Sequence, residues 1–146
     1  MSGQPINIEP RPSLEAVRSL LAAAELPTSD ITDAHLDHFF SCGSPGAPKA
    51  IAGVELYGDV ALLRSVVVSP DMRASGFGSA LVEHVESYAR QSGARALYLL
   101  TTTAESFFSR LGYQKVDRSE APASIRATRE FSDICPASSA FMSKEL

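Results

Sequence analysis

The fold is decided by one stretch of this 146-residue chain, Val66-Val67-Val68-Ser69-Pro70-Asp71-Met72-Arg73-Ala74-Ser75-Gly76-Phe77-Gly78-Ser79-Ala80-Leu81. Its three consecutive β-branched residues predict a buried strand, and Pro70 ends that strand. Gly76 and Gly78 then allow a tight turn before the apolar spacing of a helix begins. The stretch therefore predicts a strand, a turn and a helix in direct succession.

The predicted helix start has the features of an anion site. The first amides of a helix lack partners within it, and the helix dipole adds a partial positive charge at the same end. Arg73 contributes a full positive charge nearby. The amides from about Ala74 to Ser79 therefore predict a cradle for a phosphate group.

Composition points to a single globular domain, residues 1–146, that acts on small molecules. A formal net charge of -4 argues against broad nucleic-acid binding, which needs a basic face. No apolar run reaches membrane-spanning length and the first residues lack a signal-peptide pattern, so we expect no membrane partner and a cytoplasmic protein. Cys42 and Cys135 are expected to be two reduced thiols, and no metal is expected.

The chain before the decisive stretch is predicted to contain short strands and short helices. Ser13 is a suitable N-cap for a helix that ends before Pro27, and a second short helix is expected between about residues 30 and 38. The composition of Gly43–Pro48 predicts an exposed loop. Strands are predicted at Ile6–Ile8 and Phe39–Cys42.

A β-hairpin is predicted from Ala50–Tyr57 and Val60–Val68, closed by Gly58-Asp59. In this register Glu55 lies opposite Leu62, and Arg64 lies diagonal to Glu55 on the same sheet face. A β-bulge would alter this parity. The other face carries an apolar set that needs a helix over it: Val54, Leu56, Ala61, Leu63 and Val67.

The strand and helix of the decisive stretch are followed by a second strand. This order predicts a right-handed crossover and a parallel strand pair. The helix begins at Phe77 and stops near Gly93, and the apolar run Ala96–Leu100 forms the following strand. The remaining predictions are a helix at Ala104–Leu111, a strand at Tyr113–Val116, a helix around Ile125–Phe131 and a strand at Ala140–Lys144.

Two common phosphate motifs fail here. A P-loop is absent, and a dinucleotide fingerprint needs a small residue where Leu81 stands. The remaining pattern, Arg73-x-x-Gly76-x-Gly78, resembles the acetyl-coenzyme A motif of the GNAT N-acetyltransferase superfamily. The later segment Ala104-x-x-Phe107-Phe108-x-x-Leu111-Gly112-Tyr113 resembles that family's second coenzyme A helix.

Through Leu100–Thr103, Phe107-Phe108 and Gly112-Tyr113, the C-terminal half is also similar to amino-acid (glutamate) N-acetyltransferases. Through the segment Ala121–Pro136 and Met142, the chain resembles small GNAT proteins associated with arsenic-resistance operons. The resemblance implies an α/β (α+β) GNAT fold, with a mixed sheet splayed between strands 4 and 5 and helices on both faces. It also implies acetyl-coenzyme A as cosubstrate. The residues that would bind it are Val66, Val67, Val68, Arg73, Ala74, Ser75, Gly76, Phe77, Gly78, Ser79, Thr101, Phe107 and Phe108.

For catalysis, transfer to an amine needs a base that accepts the amine proton, and Glu55 is the local candidate. The alternative is that Glu55 and Arg64 only form a cross-strand ion pair. An unpaired Arg64 would suit an acceptor carboxylate. The Val68 N–H is a candidate donor to the thioester carbonyl. Phe108 stands where the family often has the tyrosine that protonates the thiolate, which leaves Tyr113 or water for that role.

The acceptor is expected to be a small amino-acid-like amine, a glutamate analogue or an arsenic-containing toxin. Its candidate contacts are Arg64, Thr102, Arg126 and Ser138. Arg126 would act if residues 119–136 fold over the site as a lid, and the alternative is a solvated helix face. A second hypothesis is a coenzyme A sensor module without turnover. A homodimer is left as an open expectation.

Overall fold

Seven strands form a sheet in the order β1-β2-β3-β4-β5-β7-β6. The computed structural model describes residues 8–24, 31–44, 47–69, 76–102, 104–128, 131 and 139–146. The strands are β1 (Ile8–Pro10), β2 (Phe39–Ser44), β3 (Ala47–Tyr57), β4 (Val60–Val68), β5 (Ala96–Thr101), β6 (Gln114–Lys115) and β7 (Ala140–Glu145). The helices are α1 (Leu14–Ala23), α2 (Asp33–Leu36), α3 (Phe77–Gln91), α4 (Glu105–Arg110) and α5 (Ala123–Arg126), with a 3-10 helix at Arg118–Glu120.

The sheet is mixed, as predicted. Strands β4 and β5 pair in parallel through Val60–Leu62 with Ala96–Tyr98, and α3 forms the crossover between them. Strands β1 with β2, β2 with β3, β5 with β7 and β6 with β7 pair antiparallel. The predicted hairpin, the parallel pair and the last strand are therefore confirmed, and the architecture is α+β.

The chain divides into two compact units, each with its own core. The first consists of Met1–Gly53 and Ser65–Val85. In it Phe39 is fully buried within an apolar cluster, whereas the ring of the next residue, Phe40, lies 4.7 Å from the ring of His84 on α3. Successive strand residues face opposite sides of a sheet, so helices cover both faces in this unit. The cluster around Phe39 contains Val17 and Leu21 of α1, Ile31, Leu36 of α2, Ile51 and Val67.

The second unit consists of Val54–Arg64 and Glu86–Leu146. Its apolar cluster is built on Leu62 of β4 and Phe141 of β7, which are covered by Ile125 of α5. The ring of Tyr98 on β5 stacks on Phe141 with 5.4 Å between the centroids. Segment 118–126 thus closes the sheet face on which Leu62 lies.

The predicted helix starts in the first unit are confirmed. The Ser13 hydroxyl accepts a hydrogen bond from the Ala16 amide at 3.1 Å, which caps α1. At the start of α2 the Thr32 amide donates to the ring of His35 at 3.1 Å. Both caps satisfy amides that a helix start leaves without partners.

The predicted exposed loop at Gly43–Pro48 is wrong over most of its length. Gly43 and Ser44 belong to β2, and they pair with Pro48 and Ala47 of β3. A register shift between Cys42 and Gly43 marks a β-bulge, and Gly43 has the φ of +112° that such a position favours. The bulge accommodates glycine and proline inside a strand pair, although their composition is typical of a loop.

Two other boundaries differ from prediction. The first strand includes Ile8–Pro10 and so extends past the predicted end at Ile8, and residues 6 and 7 of the prediction lie outside the described part. Pro10 is tolerated because β1 is an edge strand. Helix α5 spans Ala123–Arg126 and not Ile125–Phe131, because Pro122 at the N-cap sets its start.

Cys42 is a buried free thiol, and Cys135 lies outside the described residues. Burial raises the pKa of the Cys42 thiol to about 11, from 9.0 in a model compound. At pH 8 the reactive thiolate should therefore be roughly a hundredfold rarer than in an exposed cysteine. In a Cys135→Ser variant, iodoacetamide should label Cys42 slowly in the folded protein and rapidly in urea. Equal rates in the two conditions would contradict this.

None of the helices in the described part is long and apolar enough to cross a membrane. Within the same residues, no three His, Cys, Asp or Glu side chains are grouped so that they could hold a metal ion.

Candidate active site

The start of α3 is where the sequence predicts an anion site. Gly76 has a φ of +86°, and a Cβ built on it would meet no atom of the described residues within 4 Å. The Ala80 amide donates to the Gly76 carbonyl at 3.0 Å and so makes the first bond of the helix. The amides of Phe77, Gly78 and Ser79 precede that bond and lack a partner within the helix. Anion binding by these amides stays a prediction, and Arg73, Ala74 and Ser75 of the predicted cradle lie outside the described residues.

The end of β4 carries a backbone irregularity in the same unit. Ser65 has a φ of +58°, which costs a non-glycine residue about 1–3 kcal/mol. Beyond it Val67 is buried in the core, while Val66 and Val68 are half-buried. A left-handed residue thus lies directly before Val66–Val68, and the possible bulge in this hairpin stays a prediction.

In the second unit, Glu55 and Arg64 form an ion pair. Arg64 Nη1 donates to Glu55 Oε2 at 2.6 Å, with 1% of the Arg64 side chain and 14% of the Glu55 side chain exposed. The Tyr57 hydroxyl donates to the other carboxylate oxygen, Oε1. Of the two alternatives for Arg64, the cross-strand pair is the one present, and it is buried. Direct contact of Arg64 with an acceptor stays a prediction.

The predicted second coenzyme A segment lies around α4. The Phe107 and Phe108 rings are in edge contact, with centroids 5.0 Å apart, and Phe108 is buried. The Thr101 hydroxyl accepts from the Ala104 amide at 3.0 Å and so supports the turn into α4. Thr101 and the two phenylalanines therefore border one strand-to-helix turn, from β5 to α4.

Tyr113 belongs to a buried ionic network. Its hydroxyl donates to Glu86 Oε2 at 2.9 Å, and Lys144 Nζ donates to both Glu86 oxygens at 3.1 Å and to the Leu111 carbonyl at 2.9 Å. Burial, reinforced by the charge of Glu86, raises the pKa of Tyr113 far above its usual range. A hydroxyl held in this way is a poor proton donor to a leaving thiolate.

The predicted acceptor residues take different positions. Arg126 is exposed and donates to the Ser119 carbonyl, Thr102 is exposed, and Ser138 lies outside the described residues. Arg118, which the sequence did not single out, donates to the Ser139 carbonyl at 3.2 Å and lies over the Phe131 ring. The described part of residues 119–136 thus covers the Leu62 cluster, and Arg126 is at its surface.

Sequence reasoning missed three residues of these networks. Tyr57 could have been found, because it lies two residues after Glu55 on a strand and so shares its face. Glu86 and Lys144 are 58 residues apart, and neither strand nor helix periodicity links positions that distant.

Comparison with known proteins identifies related chains. Residues 11–113 match the Acetyltransferase (GNAT) family. N-alpha-acetyltransferase 80 of Mus musculus is 36% identical over 77 residues, which is 49% of this chain and 24% of that protein. The amino-acid acetyltransferase of Salmonella typhi is 42% identical over 59 residues, which is 40% of this chain and 13% of that protein. The chain therefore spans a quarter or less of the length of these relatives.

Among solved structures, N-acetylglutamate synthase from Neisseria gonorrhoeae superposes with a TM-score of 0.85 at 20% identity. The match covers 99% of this chain and 36% of that one, whose crystals hold coenzyme A and N-acetyl-glutamate. At this identity the likeness establishes a shared fold.

Proposed function

Because the chain belongs to the Acetyltransferase (GNAT) family, we propose that it transfers the acetyl group of acetyl-coenzyme A to the primary amine of a small amino-acid-like acceptor. The transfer is direct, within a complex that holds both substrates. The observation that carries the proposal is the start of α3, where Gly76 opens space beside the first helix amides.

The donor side of the proposal rests on those amides. The N–H groups of Phe77, Gly78 and Ser79 suit the pyrophosphate of coenzyme A, and Arg73 would add charge. The backbone of Val66–Val68 would pair with the amides of the pantetheine arm. Thr101, Phe107 and Phe108 would border the same arm at the turn into α4. When bound, acetyl-coenzyme A supplies a thioester, whose carbonyl the Val68 N–H is proposed to polarise.

The acceptor side rests on Glu55. An amine attacks only when neutral, and a carboxylate fixed by two donors is a suitable acceptor for its proton. Arg64 holds that carboxylate, and its proposed second role is to attract a carboxylate of the acceptor. Thr102, Arg126 and Ser138 remain proposed acceptor contacts. Since Tyr113 is engaged with Glu86, water is the proposed proton donor to the departing thiolate.

The chain is similar in sequence to amino-acid acetyltransferases and in fold to N-acetylglutamate synthase. These similarities favour glutamate or a glutamate analogue as acceptor. An arsenic-containing analogue belongs in this class, as the resemblance to arsenic-resistance proteins implies. Similarity to an N-alpha-acetyltransferase makes a peptide amino terminus the second candidate acceptor.

Thiol release from acetyl-coenzyme A tests the proposal. The panel should contain glutamate, analogues with a phosphinate or arsonate side group, a polyamine and a short peptide with a free amino terminus. Turnover with glutamate or its analogues is expected. If only the peptide is acetylated, the proposed acceptor changes from an amino acid to a peptide amino terminus. Tight binding of acetyl-coenzyme A without turnover on any amine would favour the sensor hypothesis.

Replacement of Gly76 tests the donor site. Gly76→Asp should weaken acetyl-coenzyme A binding by about a hundredfold, because the carboxylate repels the pyrophosphate and fills the open space beside the helix start. Isothermal titration measures this affinity. Gly93→Asp is the matched control: Gly93 also has a left-handed φ, +104°, but follows the opposite end of α3. Equal affinities of the two variants would contradict the cradle.

A further inference from the structure

We propose that Tyr57 is a positioning residue for Glu55, a role that rests on the acetyl transfer proposed above. Its hydroxyl donates to Glu55 Oε1, while Arg64 Nη1 donates to Oε2 at 2.6 Å. The two carboxylate oxygens thus have different donors, one neutral and one charged.

The covalent geometry of the hairpin fixes this arrangement. Glu55 and Tyr57 are two residues apart on β3, so their side chains lie on one face of the sheet. Arg64 reaches the same carboxylate from β4, the partner strand. The three side chains therefore meet through local strand geometry and do not depend on a distant segment.

The tyrosine hydroxyl determines how the carboxylate is turned. A guanidinium prefers to bind both oxygens of a carboxylate through parallel hydrogen bonds. The terminal torsion of a glutamate is broad, so the carboxylate can rotate to meet that preference. The Tyr57 hydroxyl bonds to Oε1, and Arg64 Nη1 bonds to Oε2. Without the hydroxyl, the carboxylate would turn towards the guanidinium, and its proton-accepting oxygen would move.

The ring of Tyr57 is itself held in place. It is half-buried and packs against the cluster that contains Leu62, together with Val60 and Tyr98. A ring fixed by packing can hold its hydroxyl at one position, which is what alignment of a catalytic group requires.

Tyr98 provides a matched control. It is a half-buried tyrosine of the same cluster, and its ring stacks on Phe141. Within the described residues its hydroxyl makes no hydrogen bond to Glu55 or Arg64. Tyr98→Phe therefore removes a tyrosine hydroxyl from the same cluster, as Tyr57→Phe does, but leaves the contacts of the Glu55 carboxylate unchanged.

The test measures steady-state kinetics with the best acceptor of the panel. Tyr57→Phe should lower kcat about tenfold, with the KM of both substrates changed less than about twofold. Tyr98→Phe should match wild type. Addition of Tyr57→Phe to Glu55→Gln should cause no further loss, because both changes act on one carboxylate. Unchanged acetyl-coenzyme A affinity verifies that each variant is folded.

Three results would overturn the role of Tyr57. These are a kcat for Tyr57→Phe equal to that of Tyr98→Phe, a rise in KM that accounts for the whole loss, or additive losses in the double variant. Absence of turnover by wild type on every amine would instead overturn the proposed function, and the positioning role with it. The two failures are thus distinguished by the wild-type assay alone.

Discussion

Glu55→Gln is expected to lower kcat for acetyl transfer about a hundredfold near neutral pH, since general-base catalysis contributes at least that much. Glutamine has the size of glutamate, and its oxygen can still accept from Arg64 or Tyr57. It cannot take up the proton of the acceptor ammonium. The loss should be largest at low pH and smaller at high pH, where more of the amine is already neutral.

The measurement is a pH series of kcat for wild type, Glu55→Gln and a control. Glu120→Gln is a suitable control because Glu120 is exposed on the 3-10 helix. Affinity for acetyl-coenzyme A should stay within about twofold of wild type, as expected for a group that acts on the acceptor. A pH profile parallel to that of wild type would exclude Glu55 as the base.

Stability should also be affected, because the change removes the carboxylate charge that pairs with Arg64. A buried guanidinium without its carboxylate is costly, and loss of one partner of a buried pair typically destabilises by about 3–5 kcal/mol. The amide oxygen retains a hydrogen bond, so the loss should fall below that range. Assays should therefore be run well below the thermal midpoint of the variant.

Lys144→Met is expected to lower the free energy of unfolding by about 2–3 kcal/mol. It leaves the Glu86 carboxylate buried, with Tyr113 as its remaining partner in the described part of the chain, and removes the donor to the Leu111 carbonyl. The estimate lies below the usual cost of breaking a buried pair, because 29% of the Lys144 side chain is exposed.

Urea denaturation of matched variants tests this expectation. Lys115→Met removes an exposed lysine from β6 and should change the free energy of unfolding by less than about 0.5 kcal/mol. Glu86→Gln in the Lys144→Met background should recover part of the loss, because the unpaired charge is then gone. Equal stability of Lys144→Met and Lys115→Met would exclude a stabilising role for the network.

Short-range patterns accounted for much of the fold. Residues two apart on a strand and three or four apart on a helix report burial directly, so the hairpin closed by Gly58-Asp59 and the helix after Gly76 were predictable. The loop prediction at Gly43–Pro48 failed because a β-bulge accommodates glycine and proline within the strand pair, whereas elsewhere these residues end strands. Composition alone does not distinguish the two.

The candidate base shows where local reasoning reached its limit. The hairpin register put Glu55 and Arg64 on one face, but it left an ion pair and an unpaired arginine as equal alternatives. Burial decided between them: Arg64 has 1% of its side chain exposed, and a charge so placed needs a partner.

The sequence by itself determined the strand that ends at Val68 and the helix that begins at Phe77, because β-branched residues and glycine act on their own backbone. It also predicted an anion at the helix start, from the unpartnered first amides and the helix dipole. Only the tertiary structure decided which charges neutralise one another, Glu55 with Arg64 and Glu86 with Lys144. Such pairs depend on strand register and on packing between distant segments, and burial makes them obligatory because water no longer compensates the charge.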